Sequence, residues 1–212
     1  MPDDEPEPEG HERLVSTAYD RVGDAYLQQF GVSPAKDAWR VELARRTVPR
    51  GHILDLGCGA GVPVARDLID AGFQVTGIDG SPRQIALACE NVPGGVFIVG
   101  DMAAADFPAG HFDGVAAFFS ILHVPRRDHA ELMRKIARWL RPGAAFVGSF
   151  TIHDSPGWVG DWLGAPMFFN GFDDATNRQI VADAGLAIEL AEVCAEDNDA
   201  PFLWLAARKT EG

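Results

Sequence analysis

The stretch from Ile53 to Asp79 constrains this chain more than any other. It reads as an apolar strand (Ile53, Leu54, Asp55, Leu56), a glycine turn (Gly57, Cys58, Gly59, Ala60, Gly61), a helix and a second strand closed by Asp79. Glycines at alternate positions directly after an apolar run let the backbone turn sharply and leave no Cβ between the loop and a ligand. The helix that opens near Gly61, with Pro63 in its first turn, aims free N–H groups at whatever acidic group sits there. The second strand, Phe73 to Ile78, is apolar and β-branched, as a central strand of a parallel sheet is, and Asp79 at its end is placed to accept two ribose hydroxyls.

Glycine spacing separates the two cofactor classes that use this geometry. A dinucleotide fingerprint places its third glycine where Val62 stands, and here the glycine comes one residue early, at Gly61. The run Ile53-Leu54-Asp55-Leu56-Gly57-Cys58-Gly59-Ala60-Gly61 instead resembles the first motif of the class I S-adenosylmethionine (SAM) dependent methyltransferases of small-molecule type. Later segments continue the resemblance in order. Gly100-Asp101-Met102 follows strand Val96 to Val99, Phe112-Asp113-Gly114-Val115 opens a fourth strand, and Leu140-Arg141-Pro142-Gly143 closes a helix.

The resemblance implies an α/β fold: a doubly wound, mostly parallel seven-stranded sheet of order 3-2-1-4-5-7-6, its last strand antiparallel, with helices on both faces. The end of the chain agrees on its own terms. Helix Asp173 to Ala184 leads through Gly185 into two strands, Leu186 to Val193 and Pro201 to Ala207, joined at Glu196 to Asp199 as a hairpin. A chain of 212 residues with 47% hydrophobic content supports one large domain, residues 13–212, of which 13–50 form an amino-terminal helical lid. Met1 to Glu12 alternates proline with acid and is expected to stay disordered.

The formal net charge of −13 argues against a nucleic-acid substrate, because phosphate binding draws on lysine and arginine. Cys58, Cys89 and Cys194 are too widely spaced to suggest a disulfide framework or a zinc site, so no metal is expected. Without a membrane-spanning run or signal-like start, the expectation is a cytoplasmic protein, monomer or homodimer, acting on a small molecule.

By resemblance, SAM and its product S-adenosylhomocysteine would be held by Asp55, Gly57, Cys58, Gly59, Gly61, Asp79, Gly80, Ser81, Asp101, Met102, Phe118, Phe119 and His123, with Tyr19 reaching in from the lid. Plain alternatives stand beside some of these: Tyr19 as a helix aromatic with its hydroxyl at the surface, Asp101 as a turn cap and Cys58 as a small side chain filling the turn; Ser81 also reads as N-cap of the helix that begins at Pro82. His123 and His153 stand just past strand ends and are the candidate bases, with Tyr19 beside them, against the alternative of neutral histidines tied to backbone. Trp158, Trp162, Met167, Phe168 and Phe169 crowd a glycine- and proline-rich interval, as the wall of an acceptor pocket or as cover for the sheet edge.

The leading expectation is methyl transfer from SAM to oxygen, or nitrogen, of a small metabolite or modified peptide. A SAM-fold scaffold without catalysis and an NAD(P)-dependent oxidoreductase are the alternatives.

Overall fold

The computed structural model describes residues 10–30, 33–195 and 200–211. Residues 1–9 of the acidic tail and the Glu196 to Asp199 turn lie outside them. The tail reading ends two residues too late: α1 (His11–Phe30) already includes Glu12, whose acid suits the first turn of a helix.

A seven-stranded sheet carries the chain. With β1 (His52–Leu56), β2 (Gln74–Asp79), β3 (Val96–Val99), β4 (Phe112–Ala117), β5 (Leu140–Phe150), β8 (Leu186–Cys194) and β9 (Phe202–Lys209), its order is β3-β2-β1-β4-β5-β9-β8. Only β9 runs against its neighbours, pairing antiparallel with both β5 and β8. This is the expected topology; the last two strands carry the numbers 8 and 9 because an unforeseen hairpin, β6 (Ser155–Trp162) and β7 (Ala165–Gly171), intervenes.

Alternation along β1 shows why helices cover both faces. Ile53 joins Trp39 and Leu43 of α2 (Pro34–Arg46) and Leu68 of α3 (Val64–Asp70) in one core cluster. Leu54 and Leu56 join Leu132, Met133 and Ile136 of α5 (Arg126–Trp139) and Val181 of α6 (Asp174–Asp183) in the other. Period-2 side chains on a doubly buried strand produce two cores separated by one sheet.

Serine side chains cap two helices. Ser33 and Ser81 accept from the backbone N–H groups of Lys36 and Gln84, starting α2 and α4 (Pro82–Asn91), each with proline in its first turn. Two boundaries move. Helix α3 begins at Val64, three residues beyond Gly61, because the amides of Gly57 and Cys58 both donate to the Ile78 carbonyl and tie the turn to β2 before a helix can start. The Arg141-Pro142-Gly143 turn is absorbed into β5 as an irregularity: Phe112 pairs with Leu140, but Gly114 already pairs with Ala145.

The hairpin turns on Leu163 and Gly164, both at positive φ, 54° and 83°. Those signs at both central residues match the right-handed twist of the flanking strands. It packs against α1: Ala165 and Met167 bury against Ala18 and Val22 in a third, smaller core. Among the described residues no helix is long and apolar enough to cross a membrane.

Candidate active site

Beyond the carboxyl ends of β1, β2 and β4, where the sheet order reverses at β1, a cavity opens that is roofed by α1. Asp55, Gly57, Cys58, Gly59, Asp79, Gly80, Asp101, Met102, Phe118, Phe119, His123 and Tyr19, all singled out from the sequence, line it.

The cavity floor is built from backbone. Gly59 sits at φ +52°, and a Cβ there would point into open space, with only the Gln84 amide oxygen near it at 3.7 Å. Gly61 is different: its Cβ would lie 3.0 Å from Val92 and 3.3 Å from Ala88, so this glycine lets the turn press against α4 and does not line the cavity. Asp79 is fastened on both oxygens, Oδ2 by the Gly59 amide and Oδ1 by the Ser81 amide, each at 2.9 Å. Burial pushes its carboxyl above the usual range, opposed by those two amides. A carboxylate held this way keeps lone pairs for hydroxyl donors.

Ser81 is fully buried and outside the cavity lining. Its hydroxyl accepts from the Gln84 amide and donates to Asp20, latching the start of α4 to α1. Asp101 is a turn cap, its Oδ1 accepting from the Ala103 amide at 2.9 Å, and it also lines the cavity.

The lid and the far wall meet at His123, in a single 3-10 turn past β4 (Ile121–His123). Its Nδ1 lies 2.8 Å from the Phe168 carbonyl of β7, and its Nε2 lies 3.0 Å from the Tyr19 hydroxyl of α1. A carbonyl only accepts, so Nδ1 carries the proton and the bare Nε2 accepts from Tyr19. Burial lowers the His123 pKa to about 4 and raises that of Tyr19 well above its ordinary value, with the charges of Tyr26 and Asp79 adding to the latter. The pair is therefore a neutral imidazole and a neutral phenol at physiological pH.

The hairpin aromatics hold this pair from behind. Trp162 meets Tyr19 edge-on at 5.9 Å and Phe169 lies 5.0 Å from His123. Trp162, Met167, Phe168 and Phe169 do not line the cavity, and Trp158 is half exposed, stacked on Phe169. His153 is exposed and away from the cavity.

Lys36 and Gln84 escaped the sequence reading, which also gave Asp20 and Ser120 no role of their own. Lys36 had a signal, since it precedes Trp39 by three residues and Leu43 by seven, on the helix face those two bury. A lysine on an apolar stripe is worth explaining.

Comparison with known proteins follows this geometry. A methyltransferase-domain model matches residues 53–143, from β1 into β5. The magnesium protoporphyrin IX methyltransferase of Synechocystis, solved with bound SAM, superposes with a TM-score of 0.76 over 97% of this chain and all of that one, at 18% identity. The chain carries the fold of the class I SAM-dependent methyltransferases and, over residues 53–143, a methyltransferase-domain sequence match. Among curated relatives, the 2-methyl-6-phytyl-1,4-hydroquinone methyltransferase of Synechocystis is 39% identical over 48% of this chain and 32% of its own length. The phosphoethanolamine N-methyltransferase of Triticum aestivum is 29% identical over 90% of this chain and 37% of its own. The chain thus spans about a third of the length of these relatives.

Proposed function

We propose that this protein transfers the methyl group of SAM to an oxygen or nitrogen of a small molecule, releasing S-adenosylhomocysteine, with Tyr19 and His123 taking the acceptor's proton. The hydrogen-bonded run Tyr19–His123–Phe168 carbonyl at the edge of the glycine-floored cavity carries this reading. The residues fit the cofactor: Gly59 leaves backbone bare, Asp79 offers buried carboxylate oxygens to ribose hydroxyls, and Asp101 and Met102 in the same lining would receive the adenine edge.

When bound, SAM supplies a methyl on a sulfonium, open to in-line attack. The chain's task is to align the acceptor and exclude water, and α1 roofing the cavity serves both. An acceptor hydroxyl donating to the Tyr19 oxygen hands its proton on as the Tyr19 proton moves to Nε2 of His123. A pKa near 4 makes His123 a weak base, which suffices because the acceptor proton becomes strongly acidic only as the new bond to carbon forms. The Phe168 carbonyl holds the resulting imidazolium through Nδ1–H.

A small acceptor accords with the hydroquinone and phosphoethanolamine named for the relatives, and the net charge of −13 disfavours nucleic acid. A cytoplasmic monomer or homodimer remains the reading for setting and assembly. The test is S-adenosylhomocysteine release from SAM with a panel of phenols, alcohols and amines. Turnover that Tyr19→Phe and His123→Ala each reduce at unchanged SAM affinity supports the proposal, and binding of NADH in place of SAM overturns it.

A further inference from the structure

The hydrogen-bonded run at the acceptor wall has a direction, and the Phe168 carbonyl sets it. Because a carbonyl oxygen accepts and never donates, the imidazole nitrogen 2.8 Å from it, Nδ1 of His123, keeps the ring's one proton. Nε2 is left with a lone pair, and the Tyr19 hydroxyl 3.0 Å away donates its single hydrogen there. Tyr19 and His123 both line the cavity, and towards it the Tyr19 oxygen can then only accept. Reversing the run would set a bare Nδ1 against the carbonyl, two acceptors face to face.

The surroundings hold that direction. Phe168 is fully buried in β7 and pairs with Val159 of β6. Two residues further along the same strand, Asn170, 1% exposed, donates from Nδ2 to the Val124 carbonyl at 2.8 Å. Strand β7 thus grips consecutive residues, His123 through a main-chain acceptor and Val124 through a side-chain donor. From α5, Nε2 of His129 lies 2.8 Å from the same Val124 carbonyl. Protonation does not reverse the run either: with its pKa lowered to about 4, His123 gains no second donating N–H in the neutral range, and Tyr19, raised well above its ordinary value, stays a phenol.

A ligand oxygen placed against Tyr19 completes this run only by donating a hydrogen. An anion must instead take the Tyr19 hydrogen, which strips Nε2 of its partner while the Phe168 carbonyl bars the ring from supplying another. We propose that the direction of this run selects the acceptor as a neutral O–H group and rejects the anion of the same group, whether phenolate or carboxylate. The inference rests on the Tyr19 and His123 reading above and deepens it, narrowing the oxygen acceptors to hydroxyls that still carry their proton. As the hydroxyl oxygen's lone pair closes on the methyl carbon and the carbon–sulfur pair stays with sulfur, the acceptor proton passes to the Tyr19 oxygen and the Tyr19 proton to Nε2. One positive charge leaves the sulfonium and one arrives on the imidazole.

The test uses 4-nitrophenol, whose pKa lies near neutrality and whose anion alone is yellow, titrated into the protein saturated with S-adenosylhomocysteine, a ligand whose neutral sulfur exerts no pull on an anion. The native complex should bind the neutral form about 10- to 100-fold tighter than the anion, the range for one buried group left without a partner, read as loss of yellow on binding. His123→Ala frees the Tyr19 hydrogen for the ligand, so the anion should gain about tenfold while the neutral form changes by less than about threefold. The other charged groups lining the cavity, Glu12, Asp55, Asp79, Asp101 and Lys36, act on an anion whether or not His123 is present, so a preference that came from them, or from burial alone, would persist in this variant. Benzyl alcohol should displace the phenol and benzoate should not. Equal or tighter binding of the anion by the native complex overturns the proposal, as do an unchanged preference in His123→Ala, displacement by benzoate as effective as by benzyl alcohol, and a complex that takes up no phenol at all. The native measurement decides even if the variant fails to fold. If S-adenosylhomocysteine itself does not bind, the SAM reading falls and this inference falls with it.

Discussion

The two walls of the cavity are made in opposite ways. On the cofactor side, the glycine turn, Asp79 and Ser81 lie within about one βαβ unit and are fastened mostly by backbone amides. On the acceptor side, Tyr19 meets His123 across 104 residues, and His123 meets Phe168 across 45. The first wall is written in contiguous sequence and the second only in the assembled fold. A substitution on the cofactor side therefore changes binding through a local scaffold, whereas one on the acceptor side leaves that scaffold intact and changes chemistry.

The sharpest way to break this contrast is at His123. His123→Ala should lower kcat on a hydroxyl acceptor by roughly 10²- to 10⁴-fold, the usual worth of a positioned proton acceptor. Cofactor affinity should stay within about threefold, measured by titration. A parallel loss in affinity would merge the two walls into one unit. The pH profile offers a second check on the same residue. With its pKa lowered to about 4, His123 keeps its accepting lone pair throughout the neutral range, so at saturating SAM kcat should not fall as pH drops from 8 to about 5.5. An ordinary histidine would lose activity around 6.5.

Next in size is Asp79→Ala, expected to weaken SAM by about 10²-fold or more through the loss of two hydrogen bonds to a charged acceptor. It should also release the Gly59 and Ser81 amides that the carboxylate now holds. Methyl transfer at saturating cofactor should suffer far less than in His123→Ala. A kcat collapse at saturation would count against the separation of roles.

How much of this was legible from sequence follows the same divide. The caps at Ser33 and Ser81 and the place of Asp79 derive from short-range signals, a serine before a proline and an acid at the end of an apolar strand, whereas the sheet order and the cavity-lining places of Asp55 and Asp101 came from the resemblance of motifs in order. The β6–β7 hairpin was missed because Leu163 takes a positive φ that nothing in a leucine announces, and because its strands mix glycine and proline with aromatics. Trp162, Phe168 and Phe169 were noticed as a cluster, yet only the fold shows that they support Tyr19 and His123 from behind. Lys36 and Ser120 carry no motif, and only the assembled fold puts them in the cavity lining.

Asp55 tests whether the cofactor wall stores instability for the sake of binding. Raising a carboxyl from 3.8 to about 7 by burial corresponds to at most about 4 kcal/mol. The sign follows from proton counts: between those values the native state holds a proton that the unfolded chain has lost, so stability falls as pH rises and levels off above 7. Asp55→Asn removes the titration. Its gain in Tm over the native protein should be small near pH 4, grow towards pH 7 and stay constant to pH 9, read by thermal unfolding without ligand. A gain independent of pH would mean that Asp55 is not strained in this way.

The smallest effects should come from the aromatic face that looked most like a pocket wall. Trp158 is half exposed and touches the site only through its stack on Phe169, which in turn lies beside His123. Trp158→Ala should cost about 1 kcal/mol or less of stability, the value of one aromatic pair, and change kcat by less than about threefold. His153→Ala, at an exposed position outside the cavity, should change neither. Trp162→Ala is the informative control: it removes the edge contact to Tyr19 and should lower kcat more than Trp158→Ala while sparing cofactor affinity. If Trp158→Ala raised KM for the acceptor with kcat unchanged, the hairpin would contact substrate directly, and the acceptor wall would extend one layer further than the cavity now reaches.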